Sequence, residues 1–258
     1  MSKAAFALVL TLVTALNRPV FADDISVAIH AMRNGDFAEA YCILKPYAER
    51  GDADAQYNIG WMYLNGYGLA MNDSLALEWW QRAAKQGHID ATFSIAMLYS
   101  LGEGQVKKDM DKAIDYYLKA VEGGHEDAGT IIRSMLARDD KAIAQRKAEI
   151  VMKYGPLLGP EYEVRVDRAN LRSGPSLQDR VIGVLEKGAA LIELDEKEQW
   201  MQVGVLQTGE VVWIYKSLLE ATEAGKPAAS QGASAIEAGC GRAVTIRFRS
   251  VPSSCGFG

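Results

Sequence analysis

Cysteine and histidine are both scarce, with three of each in 258 residues. So few cysteines exclude a small disulfide-stapled scaffold. So few histidines leave little room for metal sites. Positive charge is not in excess. The formal net charge is −5, which excludes a nucleic-acid binder held mainly by phosphate contacts. No apolar run is long enough to span a bilayer. The run at residues 4–16 has 13 residues, against the roughly 20 that a spanning helix needs. There is no His-Glu-x-x-His and no Gly-x-Ser-x-Gly nucleophile elbow. No histidine follows His125, so nothing in the second half can supply the Cys–His pair of a cysteine peptidase. What is present is an ordinary globular balance, 49% hydrophobic and 24% charged. That suits one or two domains with a sizeable core.

Residues 1–22 read as a signal peptide. Lys3 supplies a positive start, the apolar run follows, and Asn17-Arg18-Pro19 breaks it. Val20 and Ala22 suit a signal peptidase, so the mature chain is expected to begin at Asp23. No cysteine follows the run to take a lipid anchor. The expectation is a protein that is periplasmic or secreted, with no transmembrane anchor after cleavage.

Residues 24–153 read as a helical repeat array. Ala55, Tyr57, Ile59, Tyr63, Gly66 and Gly68 recur, 36 residues later, as Ala91, Phe93, Ile95, Tyr99, Gly102 and Gly104. After one inserted residue, Ala76, Trp79, Trp80, Ala83 and Gly87 recur as Ala113, Tyr116, Tyr117, Ala120 and Gly124. Each unit is expected to be two helices. Ala55, Ile59 and Tyr63 make one apolar face, and Gly60 sits where a neighbouring helix comes close. Gly66 and Gly68 stop the first helix, because glycine reaches left-handed dihedrals at little cost. An incomplete unit with Ala40, Leu44, Ala48 and Gly51 precedes, and a decayed unit from Gly124 follows. The decayed unit is expected to run into a charged helix from Asp139 to about Lys153.

At these residues the chain resembles the Sel-1-like repeat family of tetratricopeptide-type solenoids. The resemblance implies a curved stack of helix pairs that holds other proteins and has no chemistry of its own.

Beyond residues 154–160, two glycines and two prolines read as a linker, the period changes. Val164-Arg165-Val166, residues 181–185, 190–194, 200–203 and 211–215 read as short strands separated by turn residues. A compact β-barrel over residues 161–219 is expected. Residues 169–176, Gly188, Trp200, Val203, Gly209 and Trp213-Ile214 resemble a bacterial SH3-like (SH3b) domain. Val212 departs from the glycine usual there. The resemblance implies a cell-wall peptide or glycan ligand, or the company of an envelope enzyme.

The fold class is thus multi-domain α + β, an all-α solenoid followed by a small SH3-like barrel and a flexible tail, residues 220–258. Cys240 and Cys255 could close a disulfide in an oxidising compartment, although a disordered end reads as well. Cys42 is left over and reads as core. His88 and His125 share a repeat position and read as helix-start residues. No metal or other cofactor is expected. Trp79, Trp80, Tyr116 and Tyr117 read as packing. Trp61 and Met97 share a variable position, which suggests a partner-binding surface, although a packed Trp61 also fits. In the barrel, Trp200 and Trp213 read as structural, while Asn170, Arg172 and Tyr215 are groove candidates by analogy. Together these imply a non-catalytic adaptor, its solenoid holding a protein partner and its barrel a cell-envelope ligand such as peptidoglycan. An accessory subunit of a cell-wall hydrolase and a secreted host-interacting factor are the alternatives.

Overall fold

The computed structural model describes residues 21–102 and 104–222. Residues 1–20 of the expected signal peptide, the tail from residue 223 and the expected Cys240–Cys255 pair lie outside the described residues. The chain divides into two compact units, with the boundary between Ala83 and Ala84.

The first unit is built on α1 (Phe21–Asn34), α2 (Phe37–Glu49), α3 (Ala53–Asn65) and α4 (Asp73–Ala84). Asp52 starts α3, its Oδ1 accepting from Ala55 N–H at 2.8 Å, which satisfies an otherwise orphan donor. Gly66 ends it with φ +67°, its N–H donating to Met62 O. Ala40, Leu44, Ala48, Ala55, Ile59 and Met62 form the core between α2 and α3. Buried Gln56 donates through Nε2 to Ala48 O at 3.0 Å, closing the end of α2. Gly60 is required by close approach: a Cβ there would lie 2.5 Å from Cδ1 of Trp80. The Trp80 indole is 1% exposed and donates through Nε1 to Tyr57 O at 3.1 Å. Cys42, half-buried on α2, is disulfide-bonded. That corrects the expectation that it is left over.

The second unit begins with α5 (Ile89–Leu101), α6 (Met110–Glu122), α7 (Glu126–Ala137) and α8 (Lys147–Leu158). The charged helix expected from Asp139 starts later. Asp139 takes a positive φ of 53°, which stops α7, and a short 3-10 turn (Ala144–Arg146) leads into α8. The linker expected over 154–160 is also replaced in part by helix, because α8 runs through Tyr154 to Leu158.

Seven antiparallel strands follow: β1 (Glu161–Val164), β2 (Arg168–Arg172), β3 (Val181–Glu186), β4 (Ala190–Lys197), β5 (Trp200–Val205), β6 (Val211–Tyr215) and β7 (Leu219–Ala221). They lie in the order β3-β2-β6-β5-β4-β1-β7. The barrel thus extends two residues past the expected end. Val164, Leu171, Leu191, Met201, Val203, Val205, Val212 and Ile214 fill its core. Val212, the departure from the family glycine, pairs with Val203 in a regular ladder. The outer face of β4 and β5 is not free. Ile192 and Leu194 join the cluster of Ile132, Leu136, Val151 and Leu158 from α7 and α8. Gly204 makes room for that helix, since a Cβ would meet Val151 at 2.8 Å. Helices and barrel here share one core.

Candidate binding surfaces

Trp61 is 37% exposed on α3. Its Nε1 donates to the Tyr57 hydroxyl at 2.7 Å, and its ring stands edge-on to Trp80 with centroids 6.3 Å apart. The side chain is therefore held in place with part of its surface in water. A held aromatic loses little rotamer freedom when a partner covers it. Met97, its repeat equivalent, behaves differently. It is half-buried, packs against the core of the second unit, and its Sδ accepts from the Tyr117 hydroxyl at 3.2 Å. Tyr117 stands where the first repeat has Trp80; its hydroxyl donates to Met97, whereas the Trp80 indole donates to Tyr57 O. This places Met97 in packing rather than on an open surface.

Two residues passed over in the sequence gain a role. Arg82 lies over the Trp79 ring at 4.4 Å. Lys119, at the equivalent position, lies over Tyr116 at 5.0 Å, and Tyr116 stacks on Tyr99. The signal was a cation three residues after an aromatic in both repeats. Each cation–aromatic pair offers a flat apolar surface with a positive cap.

In the first unit Tyr63 is pushed up to about 12, by burial first and then by its hydrogen bond with Tyr41. Both hydroxyls lie within 3.4 Å, so ionisation of Tyr63 would remove a proton from that contact.

His88 and His125 do start helices. His88 Nδ1 accepts from Ala91 N–H at 3.1 Å. His125 instead stacks on Phe93 at 4.0 Å, with Nε2 3.7 Å from Asp90. The loops 87–90 and 124–127 line an open groove of about 580 Å³. Among the described residues no group of three or more histidine, cysteine, aspartate or glutamate side chains could hold a metal ion.

On the barrel, Arg172 and Tyr215 come together around Trp200. The guanidinium lies 5.9 Å from the Trp200 ring centroid, and Tyr215 meets that ring edge-on at 5.3 Å. Arg172 Nη1 also donates to Leu177 O at 2.9 Å and Asp179 O at 2.6 Å. The arginine thereby pins the loop between β2 and β3. Asn170 is exposed two residues away, on the same face of β2. Trp200 is only 7% exposed and serves as the floor. Beside this face, Val181, Ile182 and Val184 on the edge strand β3 are each more than 40% exposed. Sequence reading assigned them to the strand but not to a surface. An exposed amide, a cation and an aromatic ring beside apolar side chains can recognise a peptide or a sugar by hydrogen bonds and stacking.

Residues 53–88 and 89–125 match the Sel1 repeat, and residues 167–220 match the bacterial SH3 domain. Sel1 repeats are generally non-catalytic scaffolds for protein interaction. Chitin synthase regulatory factor 2 of Schizosaccharomyces pombe is 34% identical over 90 residues, which cover 34% of this chain and 17% of that protein. A Sel1 repeat protein from Oxalobacter formigenes is 27% identical, over 46% of this chain and 47% of that one, with a TM-score of 0.42. A protective antigen of uropathogenic Escherichia coli strains that displays an SLR fold is 25% identical, over 51% of this chain and 32% of that one, with a TM-score of 0.42. This chain therefore spans less than half the length of each. No helix among the described residues is long and apolar enough to cross a membrane.

Proposed function

We propose that this chain, two Sel1 repeats followed by a bacterial SH3 domain, is an extracytoplasmic, non-catalytic adaptor. The repeat region holds a protein partner and the barrel holds a cell-envelope ligand, a wall peptide or glycan. The observation that carries the reading is the presence of both modules in one chain. Trp61 supplies the anchor on the repeat side, pre-positioned by Tyr57 and Trp80. Arg172, Asn170 and Tyr215 supply the contacts on the barrel side. The name of the fission-yeast relative favours a second form of the same reading, in which the partner is an enzyme that handles a wall polysaccharide.

Two variants test the two halves. Trp61→Ala removes a partly exposed side chain, so the stability loss should stay below the about 3–5 kcal/mol of a fully buried tryptophan while partner capture falls by about tenfold or more. Arg172→Ala should abolish co-sedimentation with purified wall material. Retained sedimentation by that variant, or full partner capture by Trp61→Ala, removes the corresponding half of the reading.

A further inference from the structure

β3 stands at one end of the sheet and, among the described strands, pairs with β2 alone. Its far side therefore presents backbone N–H and C=O groups that no described strand takes up. Proteins usually blunt such an edge with a charge, a proline or a very short strand. The opposite edge is blunted in that way, since β7 has only 3 residues. β3 has 6, Val181–Glu186, and its one charge is at the end. Val181, Ile182 and Val184 are exposed along it.

Charges gather at its two ends. Asp179 and Arg180 precede the strand, and Glu186 and Lys187 close it. None of the four makes a side-chain ion pair among the described residues. The order of signs is self-complementary about Gly183. Laid antiparallel on a copy of itself with Gly183 on the axis, the strand sets Arg180 opposite Glu186 and Asp179 opposite Lys187. Val181 then faces Leu185, and Ile182 faces Val184. A parallel pairing in register would set like charge against like at all four positions, which is unfavourable.

We propose that β3 is a self-association edge, on which a second copy of this chain adds its own β3 antiparallel about a two-fold axis at Gly183. The interface is isologous, so every contact off the axis occurs twice. The axis stands normal to the sheet, so the Arg172 faces of the two copies open on the same side. Pairing needs no ligand, so its failure is separate from failure of the adaptor reading.

Sedimentation equilibrium of the purified full chain, from low to high micromolar concentration, tests it. An interface this small binds weakly, so dimer should appear only as concentration rises. Arg180→Glu makes both ends of the strand acidic, and Glu186→Arg makes both basic at those positions. Each change should weaken self-association roughly tenfold or more at low salt, with melting by circular dichroism close to that of the parent. Equal parts of the two variants, mixed, should associate again, because an acidic strand then meets a basic one. A monomer at every concentration leaves the edge to a different strand and overturns the proposal. Dimers that either single change leaves intact overturn it too, as does mixing that restores nothing.

Discussion

Gly60→Ala adds a single methyl group, and the structure says where it goes. The new Cβ would lie 2.5 Å from Cδ1 of Trp80 and closer still to Nε1. The indole is fully buried and cannot swing into water. It must shift, which strains the packing by about 1–3 kcal/mol. The shift also breaks the bond from Nε1 to Tyr57 O, and a buried donor left unpaired costs about 1–3 kcal/mol more. Alanine recovers about 1 kcal/mol through helix propensity. The net loss should be about 3 kcal/mol. At roughly 2–4 °C per kcal/mol for a chain of this size, melting should fall by roughly 6–12 °C. The second repeat supplies the rescue: it has Ala96 and Tyr117 where the first has Gly60 and Trp80. Gly60→Ala combined with Trp80→Tyr should therefore be more stable than the sum of the single changes, with a coupling of about 2 kcal/mol. Melting followed by circular dichroism on the four variants reads the cycle. A Gly60→Ala protein that melts at or above the parent temperature would refute the close-approach argument, because helix propensity alone predicts a gain.

Two more outcomes follow from the same geometry. Gly209 has φ +72°, and a Cβ there would lie 2.6 Å from Ala148 O, whereas Gly188 has φ +82° with nothing within 4 Å. Gly209→Ala should cost several kcal/mol and lower the helical and β signals together, while Gly188→Ala should cost about 1 kcal/mol; equal losses would show that α8 does not pack on the barrel. Tyr63 binds its proton more tightly in the folded state than in the unfolded one, so its contribution is complete below pH 10 and is lost as pH rises towards about 12. Denaturant titrations from pH 9 to pH 12 should show that loss, and Tyr63→Phe should flatten it; an unchanged slope in the variant assigns the loss to another group.

The repeat region was legible because its glycines and alanines mark backbone contacts. Gly66, Gly68, Gly102 and Gly104 all take left-handed dihedrals, which glycine reaches at little cost, so the 36-residue spacing was visible in the sequence. The barrel strands were legible from alternation. The junction was misread for a physical reason. Gly155, Pro156, Gly159 and Pro160 suggest a flexible linker by composition. In the structure Gly155 is small because Leu206 of the barrel lies against it, and Gly159 is small because Arg133 and Glu193 crowd it. Composition alone does not separate a glycine kept for freedom from one kept for closeness. Met97 was misjudged similarly: a repeat position can be free in one copy and occupied in the next. Asn170, Arg172 and Tyr215 were named only by analogy, and the meeting of Arg172 and Tyr215 around Trp200 was not foreseen, because residues 172, 200 and 215 come together through strand register.

A stack of helix pairs leaves an apolar face at each end that must be closed before the protein can be soluble. Here the outer side of β4 and β5 closes the last pair, with Ile192 and Leu194 set against α7 and α8. The barrel thus acts as the end plate of the array as well as a module in its own right. Additional repeats could be spliced in before Gly124 without touching that joint. Grafted after Ala137, they would uncover both the helical end and the side of the sheet, and neither half would then have a finished surface.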